Sequence, residues 1–328
     1  MKIIGMGNAL VDIITSLPND DLLDTFGLPK GSMTLVDRHT SNLINAETAG
    51  LPKQKASGGS AANTIYGLAN LGVESAFIGM VGDDDLGKFF YKNMQNKGIR
   101  PILFKNIQET GKAIALISPD SERTFATYLG AAVELSSEDI NSSVFDGYDY
   151  LYLEGYLVQD SSLIEKSVRL ARNNNMKICI DLASYNIVEQ HKSVFEMLME
   201  EYIDIVFANE TEAEVLTGEK NEKALQLLGA KTEIAIVKTG AKGSLVFKDR
   251  EIFRIEAMPA KPVDTTGAGD MYASGFLYGL SKGLSAVSCG KIGTILASKV
   301  IEGYGARMDE FVWENLRREI HKIEEQDQ

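Results

Sequence analysis

The chain has 328 residues, 44% of them hydrophobic, which is enough for a packed core in one large α/β domain or two smaller domains. The formal net charge is -13 and no run of lysines and arginines occurs, so a nucleic-acid-binding surface is excluded. The two cysteines, Cys179 and Cys289, lie in apolar or small-residue stretches without metal-ligand spacing. This context is typical of buried thiols in a reducing compartment.

Targeting signals are not indicated by the sequence. Asp12 interrupts the N-terminal stretch before an apolar core of signal-peptide length can form. No uninterrupted apolar run approaches the roughly 18 residues of a membrane-spanning helix. We therefore expect a cytoplasmic protein that binds neither membranes nor nucleic acid.

The first elements follow from apolar patterns that end at turn residues. The sequence predicts two strands at residues 2–7 and 11–14, a helix at 61–71, a buried strand at 76–81 and a helix at 85–97. Asn8 and Asp12 flank the turn between the first two strands, and Gly72 and Gly98 close the two helices. Polar side chains at strand ends are common components of binding sites.

The pattern changes between residues 101 and 128. Short strands at 113–117 and 123–127 are joined by a turn at 118–121, and no helical periodicity is visible. Together with residues 11–16 and 33–36, these strands predict a small sheet inserted into a larger body. We expect one domain over residues 1–328, with inserted β-strand lid segments at 11–45 and 101–128.

From residue 150 onward, strand patterns alternate with helical ones. The predicted strands are 150–153, 177–181, 205–208, 234–238, 244–247 and 252–255, and the predicted helices are 161–173, 192–201, 210–216, 222–228, 284–300 and 309–325. Such alternation predicts an α/β fold with three layers, α/β/α, and a mainly parallel central sheet. Ligands of such sheets bind at the carboxyl ends of the strands, where Asp181, Asn209 and Lys238 fall.

Residues 264–270 place two glycines and an acid immediately before a long run of small and apolar residues. A helix that begins here directs its unpaired N–H groups and the positive end of its dipole at the loop, so phosphate is the natural ligand. Asp270 is then positioned to accept a proton from an attacking hydroxyl. The alternative is an ordinary glycine-rich turn with an N-capping aspartate.

A second glycine pair, Gly58 and Gly59, precedes the helix predicted at 61–71. The glycines allow a polar ligand to lie against the backbone, and Asn63 offers a donor and an acceptor to a sugar hydroxyl. A plain helix entry with an inward-facing asparagine explains these residues equally well.

Over nearly its full length the chain resembles the ribokinase family, also called the pfkB family of carbohydrate and nucleoside kinases. One family signature corresponds to residues 58–87, a second to residues 264–275, and an Asn-x-x-Glu element to residues 209–212. The resemblance implies an ATP-dependent kinase with a ribokinase-like fold. It makes Asp270 the catalytic base and the backbone of Gly267, Ala268 and Gly269 the anion hole, which suits a reaction dominated by positioning and charge neutralisation.

The resemblance also implies a nucleotide site with magnesium. Asn209 and Glu212 would organise Mg²⁺ and its waters, with Glu212 acting through water. The predicted residues bordering ATP are Asn209, Lys238, Thr239, Gly240 and Thr265. From the residues alone, an exposed Asn and Glu and a solvated lysine are the alternatives.

The acceptor side is implied in the same way. The predicted acceptor-binding residues are Asn8, Asp12, Gly58, Gly59, Asn63 and Arg123. Asp12 resembles the family's carboxylate that holds sugar hydroxyls. Arg123 corresponds to an arginine that neutralises phosphate charge, and a surface pair with Glu122 is the alternative.

Some relatives hold a monovalent cation, such as K⁺, through backbone oxygens near the glycine-rich loop. Asp264 and Thr266 match those positions, whereas residues 303–306 diverge from the pattern. A K⁺ site is therefore an optional feature of the prediction. Monomer and homodimer are both compatible with the strand edges of the lid.

Residues 7–13 and the segment 22–36 resemble adenosine kinases more than ribokinases. Met33, Leu35, Phe125 and Tyr152 offer apolar or aromatic faces to an adenine ring, or else they cover the core of the lid. We predict phosphorylation of the 5′-hydroxyl of adenosine. A free pentose or hexose is the alternative acceptor, and a non-catalytic nucleoside- or sugar-binding relative is a third hypothesis.

Two other enzyme classes are disfavoured by motifs that the sequence lacks. Residues 5–10 have no third glycine of the dinucleotide-binding fingerprint, and no Gly-x4-Gly-Lys-Ser/Thr element of a Walker-type ATPase occurs.

Overall fold

The computed structural model describes residues 1–327 and contains two β-sheets with helices packed around the larger one. The strands are β1 (Ile3–Met6), β2 (Leu10–Ser16), β3 (Met33–Leu35), β4 (Gln54–Gly58), β5 (Ser75–Gly82), β6 (Arg100–Asn106), β7 (Gly111–Ile117), β8 (Arg123–Tyr128), β9 (Tyr150–Glu154), β10 (Lys177–Asp181), β11 (Ile205–Asn209), β12 (Ile234–Lys238), β13 (Ser244–Lys248) and β14 (Glu251–Ile255). The helices are α1 (Asp21–Thr25), α2 (Arg38–Glu47), α3 (Ser60–Asn70), α4 (Asp85–Asn96), α5 (Ser161–Asn173), α6 (Tyr185–Gln190), α7 (Lys192–Glu201), α8 (Glu210–Thr217), α9 (Asn221–Gly229), α10 (Ala268–Ser281), α11 (Ala286–Val300) and α12 (Glu310–Asp327).

The large sheet has nine strands in the order β14-β13-β12-β11-β10-β9-β1-β5-β6. From β12 to β6 every neighbouring pair is parallel, and β13 and β14 add an antiparallel edge. The parallel strands are apolar along almost their whole length, because helices cover both faces.

Neighbouring residues of the central strands supply two separate cores. Ile3 packs in the core beneath α3, α4 and α10 to α12, whereas Ile4 packs in the core beneath α5 to α9. On β9, Tyr152 faces the first core and Leu151 and Leu153 face the second. This period of two produces three layers and confirms the α/β/α fold predicted from the sequence.

The small sheet has five strands in the order β3-β8-β7-β2-β4 and its own apolar cluster around Leu23, Ile44 and Ile114. Its boundaries differ from the predicted lid segments. Residues 100–106 form β6, which pairs with β5 at the edge of the large sheet, and β4 extends the first segment beyond residue 45. We use "lid" below for the small sheet with α1 and α2.

The predicted elements from residue 150 onward match the structure to within about two residues at each end. Five elements were not anticipated: α1, α2, α6, β4 and β6. Cys179 and Cys289 are both free and buried. Within residues 1–327, no helix combines the length and the apolar character needed to span a membrane.

Chain topology brings several loops to one edge of the large sheet. The carboxyl ends of β1, β9, β10, β11 and β12 meet there, and α3 and α10 both begin there. The lid joins the body at the same edge, because β2 follows β1 after a three-residue turn and β4 leads directly into α3. This edge therefore collects most of the residues that the sequence motifs single out.

Candidate functional site

Asp270 lies in the first turn of α10 and its carboxylate is held by two side chains of α3. Oδ1 accepts a hydrogen bond from Ser60 Oγ at 2.7 Å, and Oδ2 accepts one from Asn63 Nδ2 at 2.9 Å. Burial raises the pKa of Asp270 to about 6, while these two donors act against the rise. A fixed carboxylate with a pKa near neutrality has the properties of a general base.

The loop before α10 has the geometry of an anion cradle. Gly267 adopts a left-handed conformation with φ 74°, and a Cβ on this residue would lie 2.5 Å from Ala306 Cβ. Only glycine satisfies both the backbone angle and the close approach. In the first turn of α10, the N–H groups of Gly269 and Asp270 have no partner inside the helix, whereas that of Ala268 donates to the carbonyl oxygen of Thr265 at 3.3 Å.

Asp12 lies on β2, where the lid meets the body, and its carboxylate packs directly against Gly58 of β4. A side chain at residue 58 would occupy the place of the carboxylate. Gly59, with φ 99°, caps α3 and lies against the carbonyl oxygen of Asn8. Burial raises the pKa of Asp12 to about 7, the charge of Arg307 lowers it and Asp270 contributes to the rise.

Arg123 of the lid reaches across to the body and forms an ion pair with Asp264. The predicted alternative, a surface pair with Glu122, is not formed. Asp264 also accepts hydrogen bonds from Thr266 N at 2.8 Å and from Gly305 N at 2.7 Å. These bonds offset its burial, so that the pKa of Asp264 stays below its usual value. One carboxylate thus joins the lid, the cradle loop and the loop at residue 305.

Between the lid and the body lies a small cavity of about 10 Å³. It is lined by Asp12, Ile14, Ala115, Ile117, Arg123, Phe125, Asp264, Thr266, Tyr304 and Gly305. A cavity of this size holds about one water molecule. In this conformation the cavity is too small for a sugar or a nucleoside.

The nucleotide side of the site begins at Lys238, the last residue of β12. A Cβ on Gly269 would lie 3.1 Å from Lys238 Nζ, so this ammonium group lies beside the cradle. Lys238 pairs with the buried Asp181 at 2.7 Å. Burial lowers the pKa of Lys238, but Asp181 and Glu212 outweigh it and the net shift is upward. The alternative of a solvated lysine does not hold, because the side chain of Lys238 is only 17% exposed and is paired with Asp181.

Asn209 and Glu212 form a reciprocal capping box at the start of α8. Glu212 accepts hydrogen bonds from Asn209 N at 2.7 Å and Nδ2 at 2.6 Å, and its own N–H donates to Asn209 Oδ1 at 2.8 Å. Burial raises the pKa of Glu212 to about 7, and Lys238 lowers it. Asn209 is exposed, whereas Glu212 is buried, so the alternative of two exposed residues holds only for Asn209.

Beside this region lies an open cleft of about 650 Å³. It is lined by Glu210, Lys220, Asn221, Glu222, Lys223, Thr239, Lys242, Ser244, Leu245, Arg254, Ile255 and Glu256. The volume lies within the range of about 300–1,000 Å³ that is typical of small-molecule sites. Thr239 lines the cleft, Gly240 begins the adjacent turn with φ 56°, and Thr265 lies exposed at the other side of the cradle.

Several residues of the site escaped the sequence analysis. Glu154, at the end of β9, is 1% exposed and accepts hydrogen bonds from Asn8 N at 2.8 Å and Ala61 N at 3.0 Å. It joins the first loop to the start of α3, and burial raises its pKa to about 7. Ser60 lies within the signature at residues 58–87 but was given no role, and Arg307 was missed because a lone arginine outside a motif carries no sequence signal.

Three of the four candidate contacts for an adenine ring do not line the cavity. Tyr152 is fully buried in the core beneath α3, and its hydroxyl is within 3.3 Å of Thr64 Oγ1. Met33 and Leu35 are more than half exposed on β3, the outer edge of the lid, and neither lines the cavity. Phe125 does line the cavity.

Comparison with known proteins identifies the family of this chain. The sequence model of the pfkB family carbohydrate kinases matches residues 44–310, which cover β4, β7 and β8 of the lid, the cradle and both helices that carry the carboxylate contacts. The chain belongs to the pfkB family. It is accordingly an ATP-dependent kinase with an alcohol group as acceptor, and the family acts on small sugar or nucleoside substrates.

Relatives within the pfkB family differ in their named substrates. A 5-dehydro-2-deoxygluconokinase of Halalkalibacterium halodurans is 30% identical over 76% of this chain and 80% of its own length. Two solved structures are each 34% identical, with a TM-score of 0.86 over 97% of this chain: a probable sugar kinase from Rhizobium etli, 98% covered, and an adenosine kinase from Sinorhizobium meliloti, 99% covered. These comparisons establish the family of this chain, but they do not establish which molecule accepts the phosphoryl group.

Mg²⁺ fits this pfkB site only through water-mediated contacts to the protein. Both carboxylate oxygens of Glu212 are used in the capping box, and Asp181 accepts from Ala183 N and Lys238 Nζ. Residues 1–327 contain no group of three or more acidic, His or Cys side chains arranged to hold a metal. Mg²⁺ retains several waters and binds phosphate oxygens readily, so these carboxylates suit water-mediated contacts to it.

The carboxylate of Asp264 is not free to bind the predicted monovalent cation. The oxygens of Asp264 already accept bonds from Arg123, Thr266 N and Gly305 N. The carboxylate of Asp264 is therefore already engaged, and the K⁺ site at the backbone oxygens of Asp264 and Thr266 stays a prediction. Arg123 supplies positive charge at the same place.

Proposed function

We propose that the protein transfers the γ-phosphoryl group of ATP to the 5′-hydroxyl of adenosine. The observation that carries this proposal is the placement of Asp270. Its carboxylate is held by Ser60 and Asn63, lies at the start of α10 beside the cradle, and interacts electrostatically with Asp12 beneath the lid.

In the proposed reaction, Asp12 binds the ribose hydroxyls and orients the 5′-hydroxyl toward Asp270. Asp270 accepts the proton as the oxygen attacks, and the N–H groups of residues 267–269 stabilise the charge on the transferred group. Lys238 adds positive charge near the phosphates. ATP supplies the phosphoryl group, and Mg²⁺ neutralises charge on its phosphate oxygens when bound.

One observation favours a nucleoside over a free sugar. The lid side of the cavity is mainly apolar, with Ile14, Ala115, Ile117 and Phe125, which suits the face of a base better than further hydroxyls. The adenosine kinase of Sinorhizobium meliloti and the probable sugar kinase of Rhizobium etli match this chain equally well, so both acceptor classes have a similar relative.

A free sugar or sugar acid is the second candidate acceptor, because the 5-dehydro-2-deoxygluconokinase is 30% identical to this chain. The deciding experiment measures kcat/KM for ATP-dependent phosphorylation of adenosine, inosine, ribose, fructose and 5-dehydro-2-deoxygluconate side by side. We expect adenosine to give the highest value. A higher kcat/KM for any free sugar would overturn the nucleoside assignment, and the absence of any phosphorylation would favour a non-catalytic binding protein.

A further inference from the structure

Arg307 has a buried guanidinium group that the proposed reaction does not use. Its Nη2 donates to Ser57 Oγ at 2.9 Å and to the carbonyl oxygen of Ser57, and its Cζ lies 3.7 Å from the centroid of the Tyr66 ring. Its Nε and Nη1 atoms are inaccessible to solvent, yet no atom of residues 1–327 accepts a hydrogen bond from them. Buried donors of a charged group are costly to leave without partners.

In residues 1–327, five of the ten buried side-chain atoms without a hydrogen-bond partner belong to Arg307 or to other residues of the candidate site. Within residues 1–327, buried side-chain atoms without a hydrogen-bond partner include Nε and Nη1 of Arg307, Oδ1 of Asn63, Oγ1 of Thr266 and Nε of Arg123. Thr266 and Arg123 line the cavity under the lid, and Asn63 holds the carboxylate of Asp270. Since native proteins satisfy most buried polar groups, such a cluster indicates a polar ligand.

The position of Arg307 is fixed by the loop that carries it. Gly305 N donates to Asp264, and Ala306 packs against Gly267 of the cradle. Ile14 of the lid lies against Gly305. Arg307 therefore keeps a defined position relative to the cradle and the lid. Its charge influences both Asp12 and Asp270, but it forms no ion pair within 4.0 Å with a carboxylate of residues 1–327.

The charged side chains around Arg307 favour a neutral acceptor over an anionic one. The lid arginine is paired with Asp264 and the lysine of β12 with Asp181, so both are already neutralised. This leaves the carboxyl groups of Asp12 and Asp270 with the guanidinium of Arg307. An anionic acceptor would meet two like charges and one opposite charge, whereas a neutral hydroxyl can donate to a carboxylate and accept from a guanidinium.

We propose that Arg307 binds the acceptor and, together with Asp12, selects an acceptor with a neutral vicinal diol. This inference rests on the proposed function. Nε and Nη1 of Arg307 donate to hydroxyl oxygens of the acceptor, and the same hydroxyls donate to Asp12 and to Asn63 Oδ1. Every partnerless atom of Arg307 and Asn63 then gains a partner. The pair discriminates against an acceptor that carries a carboxylate beside its hydroxyls.

The test combines variants with deoxy acceptors. We expect Arg307→Met to lower kcat/KM for adenosine by about 10- to 100-fold, as expected for loss of hydrogen bonds from a charged donor, with the KM for ATP unchanged. One of the two analogues, 2′-deoxyadenosine or 3′-deoxyadenosine, lacks the hydroxyl that Arg307 contacts. With that analogue, Arg307→Met should lower kcat/KM by less than about threefold. Arg307→Lys keeps the charge and the stem but not the Nε donor, and should recover only part of the activity.

Controls separate binding from folding. Arg318→Met removes an exposed arginine of α12 and should match the wild type. Titration calorimetry in an Asp270→Asn background should show that Arg307→Met weakens adenosine binding by a similar factor. An Arg307→Met loss that is equal for adenosine and both deoxy analogues, or unchanged binding, overturns the role of Arg307.

The design also distinguishes failure of this inference from failure of the proposed function. If the wild type prefers a neutral free sugar, the adenosine assignment fails, and the same variants are compared on that sugar and its deoxy analogues. If the wild type prefers a sugar acid to every neutral acceptor, the selection of a neutral diol is overturned. If no neutral polyol is bound or phosphorylated, both proposals are overturned.

Discussion

Three carboxyl groups near the transfer site share burial but differ in their partners. Glu154 accepts from two backbone N–H groups, Asp12 lies near the charge of Arg307, and Asp270 accepts only from neutral side chains. Only Asp270 also lies at the start of α10, beside the cradle. These differences make Asp270 the group best suited to take up a proton while the cradle holds the transferred phosphoryl group.

Replacement of Asp270 by Asn keeps the size of the side chain but removes its basicity. We expect kcat to fall by about 10²- to 10⁴-fold, the usual contribution of a general base, while the dissociation constant of the acceptor changes little. Steady-state kinetics and calorimetry check the two expectations. Asp249→Asn, at a turn remote from the carboxylate network, serves as the matched control. A variant with near-native kcat would show that Asp270 is not the base.

The acid limb of the pH profile should report the ionisation of Asp270. The reaction needs the ionised form, and burial raises the pKa of Asp270 to about 6, so kcat/KM should decline as the pH falls through about 6. Asp12 is close and titrates at about 7, so the observed midpoint belongs to the pair and should lie between 6 and 7.

Ser60→Ala provides the control for that profile. Ser60 donates to Asp270 and lowers its pKa, so the variant should move the acid limb to higher pH. The measurement is kcat/KM from pH 5 to 9 at saturating ATP for both proteins. A midpoint near about 4, the ordinary value of an aspartate, would contradict a buried base.

Glu154 is a positioning residue whose replacement by Gln should affect both stability and catalysis. Gln has one acceptor oxygen, so either Asn8 N or Ala61 N would face an NH₂ group instead of a carboxylate oxygen. We expect a loss of about 1–3 kcal/mol in the free energy of unfolding, and a lower kcat because α3 carries Ser60 and Asn63.

Urea unfolding and initial rates at pH 8 measure these two effects. Glu165→Gln on the exposed face of α5 is the matched control and should leave both values unchanged. Equal behaviour of the two variants would refute the positioning role of Glu154.

Sequence reasoning found the residues that lie in motifs and missed those that act alone. Asp270, Gly267 and Asn63 could be predicted because glycines, an acid and a helix start occur together at fixed spacing. Glu154 and Arg307 could not, because their roles arise from long-range packing onto α3 and β4. Nothing in the local sequence distinguishes them from other charged residues.

At the scale of elements, the site depends on the close packing of α10. This helix packs against α3 and α11 through small residues. A Cβ on Gly67 of α3 would lie 2.7 Å from Ser274 Cβ, and one on Gly275 would lie 2.7 Å from the backbone of Gly293 in α11. The absence of side chains at these positions lets the helices approach, and it fixes the start of α10 relative to Ser60 and Asn63.

Gly275→Ala should separate α10 from α11 and disturb the site indirectly. Overpacking of this kind costs about 1–3 kcal/mol, so we expect a lower thermal midpoint and a reduced kcat with little change in the pH profile. Differential scanning calorimetry and kinetics provide the measurement. Gly50→Ala is the matched control, since a Cβ there meets no atom within 4 Å. If both variants melt at the wild-type temperature, the packing argument fails.

Element type was easier to predict than sheet membership. Apolar runs ended by glycine identified α3 and α4, and the alternation of strand and helix patterns identified the strands from β9 onward. The run at residues 100–106 was assigned to the lid, yet it forms β6, because α4 returns the chain to the large sheet beside β5. The sequence of a strand does not indicate which strand it pairs with, so this boundary of the lid could not be predicted from the local sequence.

At the scale of the whole molecule, the pairing of lid and body should control access to the site. Arg123→Met removes the lid's ion pair with Asp264, in which the two side chains are only 18% and 2% exposed. We expect an acceptor KM raised by about tenfold or more and faster proteolysis of the hairpin formed by β7 and β8, since breaking a buried pair is costly.

Lys105→Met provides the control for this prediction. It breaks an ion pair between side chains that are 66% and 67% exposed, and such surface pairs contribute little. Limited proteolysis with and without acceptor, together with acceptor KM, measures both variants. Indistinguishable results for the two would show that Arg123 does not hold the lid.

The carboxylate of Asp264 ties three segments together: β8 of the lid, the loop that leads into α10, and the loop at residue 305. An outward movement of the lid would therefore pull on the loop that we propose to bind the transferred phosphoryl group. We expect heterotropic linkage, in which each co-substrate raises the affinity for the other by the same factor. Futile cleavage of ATP should then stay slow until an alcohol has arrived to receive the group.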